Sequence, residues 1–237
     1  MPDDSTISKE NDRFALRHLD PRGPSFISRL KEKSTLAEKE HLAGLFAKKH
    51  LLDPDRPLFV ASGTTAYIIA KHLLSTIPGT QIWTNSAPLL HAFIELQDSG
   101  QLAPHVNLSV VRGEVNPTTG IVSASPIGQL PTQALLYSPH GITERGIVGR
   151  RDIPEIKAVI GAHREIIMPV TWDKFLRDAP SVIKHLGHAE KEIHAGKRRY
   201  LILVPPPTAH QSAADPPEAC VSLVKRLKEA GFEFVGA

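Results

Sequence analysis

Cysteine is almost missing from this sequence: Cys220 stands alone in 237 residues. One thiol closes no intrachain disulfide and builds no cysteine-based zinc cluster, and the composition suits a reducing, cytoplasmic setting. Aromatic residues make up only 5%, so the core has to be aliphatic. No apolar run approaches the roughly 20 residues that cross a bilayer, and the polar, acidic start of the chain does not read as a signal peptide. A strong charge of one sign is also lacking. The 28 Lys and Arg against 25 Asp and Glu leave a formal +3, with 12 His counted neutral. That small, evenly spread excess gives no footprint for nucleic acid. What is present, 41% hydrophobic and 22% charged residues, is a globular composition. The length allows one large α/β domain or two small ones.

Residues 1–33 are polar and interrupted by Pro2, Pro21, Gly23 and Pro24. They read as an N-terminal arm, partly extended, too broken for a three-helix DNA-binding module. Residues 34–237 read as one α/β domain. Ser34 or Thr35 caps a first helix with Leu42, Leu45 and Phe46 on its apolar stripe, ending before Asp53-Pro54. Strands and helices then alternate. Strands are expected at 58–61, 81–84, 106–111, 134–137, 165–170, 200–204 and 232–235. A short strand is expected at 121–124, after a turn-rich 113–120. Helices are expected at 64–74, 87–97, 153–163 and 216–230, the last closed by Gly231. Residues 141–151, with three glycines, read as a loop. Residues 175–195 read as a helical region interrupted near Pro180 and Gly187. Short strands apolar on both faces and separated by helices imply a three-layer, Rossmann-like, mostly parallel sheet with helices on both sides.

The chain is organised around Phe59-Val60-Ala61-Ser62-Gly63-Thr64-Thr65, where an apolar strand hands over to a helix through a small, hydroxyl-rich turn. Gly63 lets backbone approach a ligand closely. The first helix amides have no partner within the helix, and the dipole favours negative charge. A phosphate or carboxylate fits such a place; a plain helix cap is the alternative. Ligands of parallel sheets bind at the carboxyl ends of the strands. Five small or polar turns follow expected strands and so share one rim: Ser62-Gly63-Thr64, Thr84-Asn85-Ser86, Arg112-Gly113-Glu114, Ser138-Pro139-His140-Gly141 and Thr171-Trp172-Asp173-Lys174.

An ordered set of short motifs carries a resemblance. It comprises Phe26 with Arg29, Glu38-Lys39 with Leu42-Ala43, Ser62-Gly63-Thr64-Thr65, Thr84-Asn85-Ser86, Gly113-Glu114-Val115 with Thr119-Gly120, Gly141-Ile142 with Gly146, Glu155 with Lys157, and Lys174-Phe175. In that order the chain resembles the C-terminal effector-binding domain of DeoR-type sugar-metabolism regulators, from about Phe26 onward. That domain is similar in fold to ribose-5-phosphate isomerase and coenzyme A transferases. The resemblance implies a sensor that binds a phosphorylated sugar or related metabolite; a self-associating chain without cofactor or metal is expected. The helix-turn-helix of such regulators has no counterpart here, so no direct DNA contact is expected and regulation would need a protein partner or a change in self-assembly. Ala61, Gln133 and Thr171 stand where the family usually has acids, and Arg112 where it has glycine. These departures imply a different ligand or a decayed site.

The resemblance assigns phosphate to Ser62, Gly63, Thr64, Thr65 and Lys174. Sugar contacts fall to Asn85, Ser86, Arg112, Gly113 and Gly141. Asn85 and Ser86 also read as an Asx-type turn, Arg112 as a solvated arginine, and Gly141 as a backbone requirement. An aldose–ketose isomerase is the enzymatic alternative. It needs a base beside a carbonyl and a cation for the enediolate, with Asp173, Glu114 or Glu155 as base and Lys174 as cation. A structural or assembly protein with a degenerate pocket is the third reading. His185, His188 and His194 have no acid or cysteine to complete a metal set.

Overall fold

In the computed structural model, residues 33–48, 57–115, 120–123, 130–149, 154–205 and 218–236 are described. Residues 1–32 of the arm, the Pro206-Pro207 pair and the expected loop at 208–214 lie outside them. Helix α1 (Lys33–Lys48) precedes strand β1 (Leu58–Val60) and helix α2 (Thr64–Thr76). Strand β2 (Gln81–Thr84), helix α3 (Ala87–Asp98) and strand β3 (Asn107–Val110) follow. Two-residue strands β4 (Glu114–Val115) and β5 (Val122–Ser123) pair antiparallel. Then come β6 (Ala134–Leu136), β7 (Gly141–Thr143), β8 (Gly146–Gly149), α4 (Pro154–Ala162) and β9 (Glu165–Pro169). A 3-10 turn (Trp172–Lys174), β10 (Ser181–His185), α5 (Leu186–His194), β11 (Arg199–Leu203), α6 (Glu218–Glu229) and β12 (Glu233–Val235) complete the order.

Seven strands form one parallel sheet in the order β12-β11-β9-β6-β1-β2-β3. Its strands are apolar on both faces because each face covers a core. Side chains alternate across a strand, and the two cores divide accordingly. Phe59, Leu135, Ile166, Met168, Tyr200 and Ile202 enter one; Leu58, Val60, Leu136, Ile167, Leu201 and Leu203 enter the other. The second core is roofed by Leu42 and Phe46 of α1, Ile69 and Leu73 of α2, and Leu89 of α3. The first is closed by Val159 of α4, Leu186 of α5, Leu223 and Leu227 of α6, and Ile142 and Ile147 of β7 and β8. The expected three-layer α/β architecture is what the chain adopts.

Two segments differ from the sequence expectation. Residues 141–151 are not a loop over most of their length: β7 and β8 make an antiparallel hairpin, joined to β10 in a small second sheet. Residues 175–195 are not one interrupted helix, because 181–185 form β10 and only 186–194 are helical. Three glycines masked the β-branched Ile142, Thr143, Ile147 and Val148. Two of those glycines, Gly141 and Gly146, answer to close packing. A Cβ on Gly141 would stand 1.9 Å from the Arg177 carbonyl oxygen, and one on Gly146, at φ +124°, would stand 2.2 Å from that of Lys184. Pro180 ends any helical tendency, and Val182 pairs with Val148.

Gly141→Ala is therefore expected to destabilise the protein by about 2 kcal/mol or more, since backbone must move. Urea unfolding measures it; a change under about 0.5 kcal/mol, the range of neutral surface substitutions, contradicts the packing described.

Candidate functional site

The strand order reverses between β1 and β6. From β1 the chain steps to β2 and β3 on one side. It returns at β6 on the other, then moves outward through β9, β11 and β12. Connections leaving β1 and β6 diverge there, which opens a crevice at the carboxyl ends of the two strands. Ala61, Ser62 and Gly63 leave β1, while Tyr137 and Ser138 leave β6. The amides of Ala61 and Tyr137 still bond across the sheet, to the carbonyls of Leu136 and Ile167, at 3.0 and 2.9 Å. Both turns are thus anchored where they depart.

Lys174 reaches into this crevice from the next strand along. It sits at the end of the 3-10 turn after β9. Its Nζ donates to Ser138 Oγ at 2.6 Å and, more weakly, to Thr65 Oγ1 at 3.4 Å. The turn is pinned by Trp172, whose Nε1 donates to the Pro205 carbonyl at 3.0 Å and whose ring packs on Phe175. Thr171, fully buried, donates to Asp173 Oδ1 at 2.5 Å, and Arg177 pairs with Asp173 Oδ2 at 2.9 Å. Burial lowers Lys174 from 10.5 to about 8; Asp173 and Glu38 oppose the change, while Lys39 and Arg177 add to it. Gly63 is the N-cap of α2 and brings no capping side chain. By position the amides of Thr64, Thr65 and Ala66 have no acceptor within the helix. An amine thus faces the positive end of a helix, an arrangement that an anion between them relieves.

The β2 turn is a support for this crevice. Asn85 Oδ1 accepts from the Ser62 amide at 3.0 Å, so that nitrogen is filled by the protein itself. Thr84 Oγ1 donates to the Val60 carbonyl at 2.7 Å and accepts from the Ser86 amide at 3.0 Å. Asn85 and Ser86 are buried, and among the described residues Asn85 Nδ2 and Ser86 Oγ have no hydrogen-bond partner.

Of the sequence candidates, the structure brings together Ser62, Gly63, Thr64, Thr65, Asn85 and Lys174, with Ser86 buried just beyond Asn85. Arg112 and Gly113 are exposed past the edge strand β3, and Glu114 is exposed in the β4–β5 ribbon. Gly141 is buried in β7 against the Arg177 backbone, so its position answers to packing. Asp173 is on the crevice turn, held by Thr171 and Arg177. Glu155 falls in the first turn of α4, its side chain outside the described residues.

Ser138 was not singled out from the sequence, although its rim turn was. Its hydroxyl before a proline was the available signal. Glu38 and Lys39 belong to the ordered motifs but were given no place in the site. They lie on α1 at 7% and 4% exposure, close enough for their charges to act on Lys174. Their spacing of three and four from Leu42 places them on the apolar side of that helix. His185 and His188 meet edge to face at 5.7 Å. Among the described residues no group of three His, Cys, Asp or Glu could hold a metal ion, and no helix is long and apolar enough to cross a membrane.

No family model matches the sequence, and no curated protein matches it. Solved structures similar in backbone include ribose 5-phosphate isomerase from Plasmodium falciparum, at 12% identity and TM-score 0.38 over 58% of this chain. Another is eIF2B beta from Chaetomium thermophilum, at 12% identity and TM-score 0.42 over 62% of this chain. A third is the translation initiation factor eIF-2B of Pyrococcus horikoshii, at 17% identity and TM-score 0.41 over 63%. The chain spans 52%, 41% and 50% of the length of these three structures. Likeness at this level leaves ligand and activity to the crevice itself.

The lowered Lys174 has a consequence for stability. Between about 8 and 10.5 the unfolded chain holds a proton on this lysine that the folded chain has lost. Its contribution to stability therefore rises as pH increases through that window. Lys174→Met is expected to flatten this rise, by about 3 kcal/mol at most. Urea midpoints from pH 7 to 10.5 test it; identical slopes in the two proteins contradict the burial of the charge. A separate expectation concerns Asn85→Ala, which leaves the Ser62 amide without its acceptor. It should cost about 1–3 kcal/mol, read from the same urea midpoints; a loss under about 0.5 kcal/mol counts against the brace.

Proposed function

We propose that the crevice between β1 and β6 binds a phosphorylated sugar, and that the chain is a sensor-type domain of the DeoR kind. The observation that carries this reading is the meeting of Lys174, Ser138 and Thr65 on the N-terminal turn of α2. Three separate chain segments, the start of α2, the exit of β6 and the 3-10 turn after β9, supply one amine and two hydroxyls at the positive end of a helix. A phosphate there accepts from the Thr64 and Thr65 amides, the Ser62 and Thr65 hydroxyls and the Lys174 ammonium. Asn85 braces the loop that carries the first of these. The sugar then extends along the rim toward the β2 turn.

The isomerase alternative needs a carboxylate poised as base beside the sugar. Asp173 is engaged by Thr171 and Arg177, and Glu114 stands exposed beyond the edge strand. Binding without isomerisation is the reading those positions favour. As the work of the domain is recognition, a change in self-association or in a protein partner transmits the signal.

A panel of sugar phosphates in a thermal-shift measurement tests the proposal. Ligand at 100 times its Kd should add about 2.7 kcal/mol to stability, and Lys174→Ala should weaken binding roughly 10- to 100-fold. A sugar phosphate is a dianion above pH about 6, while Lys174 loses its proton above about 8. Affinity should therefore peak between these values and fall at higher pH. No stabilisation by any sugar phosphate at millimolar concentration contradicts the proposal.

A further inference from the structure

We propose that Ser138 and Lys174 form a nucleophile and base pair able to cleave small carboxylic esters, with the first amides of α2 receiving the oxyanion. This goes beyond binding and uses a residue to which the sugar-phosphate reading gives no reaction. Lys174 Nζ lies 2.6 Å from Ser138 Oγ, the reach a base needs to take the hydroxyl proton. Thr65 Oγ1, at 3.4 Å from the same nitrogen, helps to orient it. A Cβ on Gly63 would stand 3.7 Å from Ser138 Cβ, so the serine lies against the N-cap of α2. The Thr64 and Thr65 amides that follow have no acceptor within the helix and are preorganised for negative charge. Ser138 is only half-buried, so a small acyl group can reach it.

A base at this position must be neutral to act. Burial brings Lys174 to about 8, with Asp173 and Glu38 favouring its charge and Lys39 and Arg177 opposing it. The amine is therefore substantially unprotonated in mildly alkaline solution. Ser138 Oγ attacks the ester carbonyl carbon as its proton passes to Lys174 Nζ. The carbonyl electron pair moves onto oxygen, which the α2 amides hold. Collapse of this adduct breaks the bond to the leaving oxygen, which takes the proton from Lys174 and departs as the alcohol. Water then attacks the Ser138 ester, giving its proton to Lys174. The carboxylic acid leaves as Ser138 Oγ recovers that proton. The net reaction is ester plus water to acid plus alcohol. A phosphate in the crevice occupies the oxyanion position and keeps Lys174 protonated, so it inhibits.

The full chain is treated with a fluorophosphonate probe and, separately, with p-nitrophenyl acetate. One label per chain on Ser138 is expected by mass spectrometry. Ester cleavage should rise with pH through about 8 and be inhibited by inorganic phosphate. Ser138→Ala and Lys174→Met should each lower cleavage about 100-fold or more, and Lys174→Arg, which keeps charge without a base, should not restore it. Circular dichroism checks that each variant is folded. Absence of label on Ser138 in the folded wild-type chain, label on Lys174 instead, or cleavage unchanged in folded Ser138→Ala overturns the inference. Thermal stabilisation by sugar phosphate is measured on the same samples. Stabilisation without Ser138 labelling sinks the hydrolytic pair and leaves the binding reading standing; labelling without stabilisation does the reverse.

Discussion

An amine held against the positive end of a helix is the constraint on which the rest of this molecule turns. Lys174 ties three chain segments together: the turn after β9 that carries it, the exit of β6 through Ser138, and the start of α2 through Thr65. Neither burial nor the helix dipole favours its charge. Two conditions relieve the conflict: an anion settles between amine and helix, or the amine gives up its proton. The first makes a binding site and the second makes a base.

The fold exists to hold that arrangement still. Alternate residues of the central strands feed two separate cores, so the sheet is clamped from both faces. Below the opposite rim, His163 is buried between Thr132 and the Val159 carbonyl. Its Nδ1 must donate to that carbonyl at 2.6 Å, which leaves Nε2 to accept from the Thr132 hydroxyl at 2.8 Å. Burial lowers its pKa, outweighing the bond to Val159. On α5 Glu192 is pushed up by burial. Hydrogen bonds from Lys184, Arg198 and Tyr200 together outweigh that and bring it to about 2. These neutral or fully paired groups are structural. Asn85 Nδ2 and Ser86 Oγ, which have no hydrogen-bond partner among the described residues, stand in the turn after β2 instead.

Much of this was legible in the residues. Leu58-Phe59-Val60, Leu135-Leu136 and Tyr200-Leu201-Ile202-Leu203 are apolar at every position, as short strands buried on both faces require. The turn at Ser62 to Thr65 announced a helix start at a strand end, and the rim followed from the parallel order. The β7–β8 hairpin and β10 were hidden because Gly141 and Gly146 look like loop formers until Arg177 and Lys184 are seen packed on them. Ser138 was hidden for another reason. A serine acquires meaning from what faces it, and Lys174 is 36 positions away in sequence. Asn85 reads locally as a turn residue, yet its oxygen serves Ser62, 23 positions earlier.

The most direct test is the titration of the Lys174 side chain itself, followed by carbon-detected NMR on protein labelled at the lysine ε-carbon. Lys174→Arg assigns the signal. A midpoint near 8 in the free protein, moving upward on addition of inorganic phosphate, is what the account predicts. A midpoint near 10.5 that does not respond to phosphate would contradict it, because the amine would then be a solvated lysine facing nothing.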